Sequence, residues 1–188
     1  MQLMLAGEEE GLVALYQKYQ ASIYRFSVHL TGRRDIAEDV TQETFLVLIR
    51  APRGYQPERG ALLLYLFGIA RKLAWKAMRR DRFFSALEDN HPSLPVWVPD
   101  FAGDIGRERQ VSQLRDAILS LPGKYREIAV LCDLQELSYE EAATVARCSI
   151  GTVRSRLHRA RQLLVRKLKG RGLRQEAAGS SSVLGYDL

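Results

Sequence analysis

Apolar residues recur at three- and four-residue steps along almost the whole chain, and Val-, Ile- and Thr-rich alternating runs are nearly absent. A chain of this kind buries one stripe per helix and has no material for a sheet. Leu12, Leu15, Tyr16, Tyr19, Ile23 and Phe26 predict a helix that stops at Thr31-Gly32, with Gly32 as its C-terminal cap. Asp35, with Glu38 three residues on, predicts a capping box that opens a second helix to about residue 50. The stretch 51–60 holds two prolines and two glycines and reads as a loop before a long helix over 61–84. Pro92, Pro95 and Pro99, with Asn90, Gly103 and Gly106, mark a linker over 85–106. Helices follow over 107–120, 122–134, 139–146 and 150–169, with Pro122 in a first helical turn and Ser138 and Ser149 as N-caps. The tail from Gly170 reads as disordered. The expected fold is all-α: two small helical domains, 8–84 and 107–170, joined by a flexible linker.

Charge sorts these pieces by partner. The chain carries 28 Lys and Arg against 22 Asp and Glu, net +6. Between Arg147 and Arg174 stand Arg154, Arg156, Arg159, Arg161, Arg166, Lys167, Lys169 and Arg171 with no acid, so the rest of the chain nets −4. Arg71, Lys72, Lys76, Arg79, Arg80 and Arg82 form a second cluster, opposed only by Asp81. Asp35, Glu38, Asp39 and Glu43 make an acidic patch. Two basic patches suit a polyanion held at two places, and the acidic one suits a different partner. No apolar run reaches the ~18 residues of a membrane span, and the N-terminus lacks the basic start of a secretory signal. Two cysteines, Cys132 and Cys148, fit a reducing cytosol and packing rather than a metal or redox site. His29, His91 and His158 are scattered. No Walker-type loop, His-Glu-x-x-His, Cys-x-x-Cys or Gly-x-Ser-x-Gly occurs, so neither catalysis nor a cofactor is expected.

Residues 137–157 have the organisation of a helix-turn-helix. A short helix capped by Ser138 buries Ala142, Ala143 and Val145 or Ala146, small enough for close crossing. After the turn Arg147-Cys148-Ser149, Val153, Leu157, Ala160, Leu164 and Leu168 face the body. Gly151, Arg154, Ser155, His158 and Gln162 take another face, suited to a major groove, with Thr152 and Arg159 beside them and Arg156, Arg166 and Lys167 reaching phosphates.

In the second helix, Ile36, Ala37, Val40, Thr44, Val47 and Leu48 make the core side. Asp35, Glu38, Asp39, Gln42 and Leu46 lie opposite, with Glu43 close by and Phe45 at the edge. Such a stripe suits docking to a basic helix pair, with Leu46 and Phe45 as anchors; the plainer reading is a solvated acidic helix with Phe45 in the core. In the third helix, Leu62, Leu66, Ile69, Ala70, Leu73 and Ala77 are the expected core, while Tyr65, Gly68, Lys72, Trp75, Lys76 and Arg79 share the other side. Rings among cations suit an unpaired strand; core aromatics beside surface cations are the plainer reading.

Leu121-Pro-Gly-Lys-Tyr-Arg-Glu-Ile-Ala-Val-Leu131, Leu137-Ser-Tyr-Glu-Glu-Ala-Ala143 and Gly151-Thr-Val-Arg-Ser-Arg-Leu-His-Arg-Ala-Arg161 closely resemble region 4 of extracytoplasmic-function (ECF, group 4) sigma factors. Asp35-Ile-Ala-Glu-Asp-Val-Thr-Gln-Glu-Thr-Phe-Leu-Val-Leu48 resembles their region 2.2. The resemblance covers about 12–82 and 110–169. It implies an alternative sigma factor, not an enzyme, that binds core RNA polymerase and directs it to promoter DNA. Gly151, Thr152, Arg154, Ser155, His158, Arg159 and Gln162 would meet the −35 element. Tyr55, Tyr65, Arg71, Lys72, Trp75, Lys76 and Arg79, with the loop 54–60 holding an extruded base, would read and melt the −10 element. Asp35, Glu38, Asp39, Gln42, Glu43, Phe45 and Leu46 would grip the β′ clamp helices, and region 4 the β flap. Tyr65-Leu66 stands where many members have Trp-Leu, and Lys72 where they have Asn. A cytoplasmic monomer is expected when free, with a cognate anti-sigma factor that can hold it at the membrane. The rival reading is a helix-turn-helix regulator that works without polymerase; it leaves the acidic stripe and the aromatic-basic helix unexplained.

Overall fold

The computed structural model describes residues 9–87 and 105–180, all helix, turn and loop. Helix α1 (Glu9–Thr31) ends as the sequence requires: Gly32 takes φ +74°, and its N–H donates to the Val28 carbonyl at 2.8 Å. Helix α2 (Arg34–Arg50) begins differently from expectation. Its N-cap is Arg33, with no side-chain cap, and Asp35 instead accepts from Arg33 at 2.5 Å and 3.0 Å. A guanidinium two residues away offers a charge-assisted fork that a backbone N–H cannot match, so no capping box forms. Arg33 also donates to Asp81 at 2.9 Å, tying the start of α2 to α3 (Leu62–Leu87).

Between α2 and α3 the chain makes two single 3₁₀ turns, Pro52–Gly54 and Pro57–Arg59. Gly60 closes the second at φ +130°, ψ 179°, a conformation open essentially to glycine alone. The core of the first three helices holds Ile23, Phe26, Leu30, Val40, Leu48, Leu62, Leu66, Phe67 and Ala70. Phe67 and Ala74 are buried, whereas Ile69, Leu73 and Ala77 are only half-buried, so the buried stripe of α3 is rotated from the expected one. Phe67 turns inward because Phe26 meets it ring to ring at 5.2 Å.

The second group comprises α4 (Ile105–Leu119), α5 (Gly123–Ala129), a wide π turn over Val130–Leu134, α6 (Tyr139–Ala146) and α7 (Ile150–Ser180). Pro122 is the N-cap of α5 rather than part of its first turn. Ser138 and Glu141 form a complete capping box on α6, with bonds of 3.2 Å and 2.8 Å. Arg147 ends α6 in the left-handed region at φ 53°. The stretch after Gly170, expected to be irregular, is helical as far as Ser180; its Arg, Leu, Gln and Ala residues are good helix formers that outweigh Gly172 and Gly179. Likewise α3 extends to Leu87 and α4 starts at Ile105, shortening the expected linker from both ends. Pro92, Pro95, Pro99 and His91 lie outside the described residues.

The two groups of helices are not merely tethered. Leu66, Phe67 and Ala70 belong to one continuous apolar cluster with Ile128, Leu131, Ala142 and Val153. Leu119 packs onto Gly32, where a Cβ would sit 3.0 Å from its Cδ2. Arg126 donates to the Leu30 carbonyl at 2.9 Å and also to the Leu119 and Leu121 carbonyls.

Candidate nucleic-acid interface

Helix α7 presents the face that its spacing predicts. Val153, Leu157 and Ala160 are buried, while Gly151, Arg154, Ser155, His158, Arg159 and Gln162 are exposed. Ala142, Ala143, Val145 and Ala146 are all buried beneath it. Thr152 is half-buried: its N–H donates to the Ser149 hydroxyl at 3.2 Å and its own hydroxyl lies 2.9 Å from that oxygen, so it serves the helix cap. A Cβ at Gly151 would meet only the Ser149 hydroxyl, at 3.9 Å, so the start of α7 is open to close approach.

The exposed donors are held in relation to one another. The Arg154 guanidinium lies 5.8 Å from the centre of the Tyr139 ring, which restrains it from the neighbouring helix. Gln162 accepts from Arg159 at 3.1 Å and lies 2.9 Å from His158 Nε2, giving a polar row along the helix. Arg161 is paired with Asp133 at 2.5 Å, which lowers its availability to phosphate. Cys132, beside that pair, has its thiol pushed up to about 11 by burial and then by the Asp133 carboxylate. A thiol held protonated at neutral pH is a poor nucleophile or ligand.

On α3, Lys72, Lys76 and Arg79 are exposed along one side. Tyr65 is half-buried and tilts against Tyr55 of the preceding loop, ring centres 5.6 Å apart. A Cβ on Gly54 would sit 2.6 Å from the Tyr65 hydroxyl, so glycine is what lets the loop lie against that ring. Tyr55 donates from its hydroxyl to the Gly60 carbonyl at 3.1 Å. The loop and the start of α3 thus make one aromatic platform. Arg71 and Trp75 are placed otherwise: both turn toward Glu127 of α5, which accepts from Arg71 Nε and from Trp75 Nε1, the latter at 3.3 Å.

On α2, Leu46 is 39% exposed, but Phe45 is only 3% exposed and packs on Tyr16 with ring centres 4.9 Å apart. Phe45 is therefore a core residue and not the exposed anchor the sequence suggested. Asp35 pairs with Arg33, Glu38 with Arg34 at 3.2 Å, and Glu43 with Arg50 at 3.2 Å. The Arg33 hydrogen bond holds the Asp35 carboxyl below its usual range. Asp39 and Gln42 are exposed, and a shallow groove of about 290 Å³ runs beside them, lined by Tyr16, Tyr24, Glu38 and Gln42.

These features define a two-domain, all-helical protein with a helix-turn-helix on one domain and an aromatic-basic helix on the other. Residues 15–84 match the family Sigma-70 region 2, and residues 112–164 match Sigma-70, region 4. The chain is 36% identical over 152 residues to the ECF RNA polymerase sigma factor SigE of Mycolicibacterium smegmatis, covering 80% of this chain and 58% of that relative. It is 32% identical to EcfG of Rhodopseudomonas palustris, covering 76% of this chain and 77% of that protein. Among solved structures, the sigma factor RpoE of Bartonella quintana, in complex with the anti-sigma factor NepR, shares the fold at TM-score 0.72 and 24% identity, with 85% of this chain and 98% of that one covered. The chain belongs to the ECF RNA polymerase sigma factor family.

Proposed function

We infer that this protein is an alternative sigma factor that binds core RNA polymerase and carries it to promoters through their −10 and −35 elements. The observation that carries the reading is the presence, on one chain of this family, of two separate nucleic-acid faces built differently. One is an exposed Arg-Ser-His face on a helix-turn-helix, suited to duplex edges. The other is a ring-and-cation face beside a fixed loop, suited to unpaired bases. The −35 contacts fall to Gly151, Arg154, Ser155, His158, Arg159 and Gln162, with Thr152 shaping the helix start. The −10 contacts fall to Tyr55, Tyr65, Arg71, Lys72, Trp75, Lys76 and Arg79, of which Arg71 and Trp75 lie against Glu127 in this structure. Glu38, Asp39, Gln42, Glu43 and Leu46 form the surface for the polymerase clamp, with region 4 on the flap. Domains 8–84 and 107–170 divide the work. A cytoplasmic location and a cognate anti-sigma inhibitor belong to the same reading; no described helix is long and apolar enough to cross a membrane.

Run-off transcription with core polymerase and genomic promoter fragments tests it. Defined transcripts that require the chain are expected; sequence-specific binding by the chain alone, with no transcript when core is added, would favour the regulator that acts without polymerase. At the −35 face, Arg154→Ala should cost about 1–3 kcal/mol on the preferred sequence and relax discrimination at one base pair. Arg166→Ala should weaken all sequences alike and flatten the salt dependence. An equal loss on every sequence for Arg154→Ala would make it a phosphate contact.

At the −10 face, Tyr65→Ala should slow promoter opening by roughly tenfold or more, since a stacked base contributes about 1–3 kcal/mol. A premelted template should restore part of that loss and none of an Arg154→Ala loss. A Tyr65→Ala protein that melts earlier on heating yet opens promoters normally would make the ring structural.

A further inference from the structure

Asp133 belongs to the π turn over Val130–Leu134, which is anchored on both sides. Val130 and Leu131 are buried, and the Gln135 and Leu137 N–H groups close the turn onto the Val130 and Leu131 carbonyls at 3.0 Å and 3.1 Å. The Asp133 carboxylate meets Arg161 of α7 as a fork: Arg161 Nη2 donates to Oδ1 at 2.5 Å and Nε to Oδ2 at 3.3 Å. Beneath Arg161 the helix is held by the buried side chains of Val153, Leu157 and Ala160. A two-point, charge-assisted pair between anchored backbones persists where a pair between free surface side chains contributes little. The neighbouring guanidinium groups are held differently: Arg154 meets the Tyr139 ring and Arg159 the Gln162 amide.

Arg161 follows Arg154 by seven residues, so it lies within about 20° of it on the same helix face and roughly 10 Å further along. A recognition helix touches base edges with its first turns and then leaves a groove about 12 Å wide. A side chain two turns beyond the reading residue therefore stands level with the phosphates of the groove wall. The Arg161 side chain is 57% exposed even within the pair, so solvent and DNA can reach it from the open side. A guanidinium already neutralised by a carboxylate displaces no counterion from DNA, whereas a free one that meets a phosphate displaces about one.

We propose that Asp133 is an affinity-limiting mask: by holding Arg161 it withholds one phosphate contact from α7, so the domain grips any duplex less firmly than its cations allow. The proposal rests on the −35 reading of α7 given above. Choice of sequence stays with Arg154, Ser155 and His158, because a phosphate contact carries no sequence information. Asp133, which lies outside the helix-turn-helix itself, thereby sets how strongly the chain binds DNA and not which DNA it prefers.

The recognition face is exposed in the free chain, so the test uses the full-length protein without polymerase. Fluorescence anisotropy measures its affinity for two labelled duplexes, one bearing the −35 sequence of a promoter mapped by run-off transcription and one scrambled, across a salt titration. Asp133→Asn removes the charge at nearly constant shape, and Asp133→Ala removes the fork by a second route. Both variants should bind both duplexes roughly fivefold more tightly at about 0.1 M salt, with the logarithmic salt slope steeper by about 0.9 and the ratio between duplexes unchanged. Arg161→Gln alone should keep the parental slope, and combined with Asp133→Asn it should abolish the steepening. Three results would overturn the mask. A shallower slope for Arg161→Gln alone would show that Arg161 already meets a phosphate. A parental slope for folded Asp133 variants would show that the released guanidinium reaches none. An equal gain from Asp133→Asn with and without Arg161 would reduce the effect to long-range repulsion. Arg154→Ala on the same duplexes separates the two ideas. If it kept the parental ratio between duplexes, the −35 reading would fail whatever the salt slopes; if it lost that ratio beside unmoved Asp133 slopes, the mask alone would fail.

Discussion

Phe45→Ala should destabilise the folded chain by about 3–5 kcal/mol, the usual cost of deleting a buried ring, and should leave a cavity against Tyr16. Urea denaturation followed by circular dichroism measures it, with the midpoint falling and the slope unchanged. Leu46→Ala, one residue on, removes a side chain that is 39% exposed and should move stability by well under 1 kcal/mol while weakening polymerase binding. The two neighbours thus separate structure from docking. If Phe45→Ala kept full stability and lost only polymerase affinity, the ring would be an anchor after all.

Acid should weaken the fold well above the pH at which carboxylates titrate. His29 on α1 is held neutral by burial, with Arg115 and Arg25 adding repulsion, and its pKa falls to about 4 from 6.5. Below pH 6.5 the unfolded chain takes up a proton that the folded chain refuses, so stability falls steadily until about pH 4 and then levels. A shift of that size corresponds to about 3 kcal/mol, or a Tm lower by roughly 6–12 °C for a chain of this length. Asp35 has the opposite sign, its depressed pKa adding stability that is lost only as pH falls below the ordinary value of 3.8. The two effects therefore occupy different pH windows. Thermal melts between pH 7 and pH 4 of the parent and of His29→Gln make the comparison; parallel profiles would show that His29 is protonated within the fold.

Most of the signals that act within one turn were legible. Gly32 stops α1, Ser138 caps α6 together with Glu141, and the small residues of α6 are buried as their spacing requires. What escaped was decided by side chains outside the pattern that gave the signal, most of them distant in sequence. Phe45 sits at the boundary between the two faces of α2, where a 100° step decides nothing, and it is Tyr16 on another helix that draws it inward. Asp35 had a plausible backbone role, but Arg33 offered a stronger partner two residues away. The burial of Phe67 in place of Leu73 follows from Phe26. The docking of one domain on the other has no periodic signature, because the shared apolar cluster and the contacts of Gly123, Arg126 and Glu127 join residues dozens of positions apart. The face of α7 was readable for the opposite reason: a face left exposed needs no partner to define it.

The loop between α2 and α3 is pinned at both ends, by the Tyr55 hydroxyl on the Gly60 carbonyl and by the Tyr55 ring on Tyr65. Its two prolines and the extended, positive-φ conformation at Gly60 leave the backbone little to rearrange. On the proposed −10 reading, a loop already set in shape would lose little entropy when a base enters it, so its selectivity would act by exclusion, admitting what fits the standing contour and turning away what does not. Changes of side chain along this loop would therefore alter which nucleotide is accepted before they altered how firmly any nucleotide is held. Promoter preference could then diverge among related chains through a handful of loop positions while the helices beneath stayed as they are.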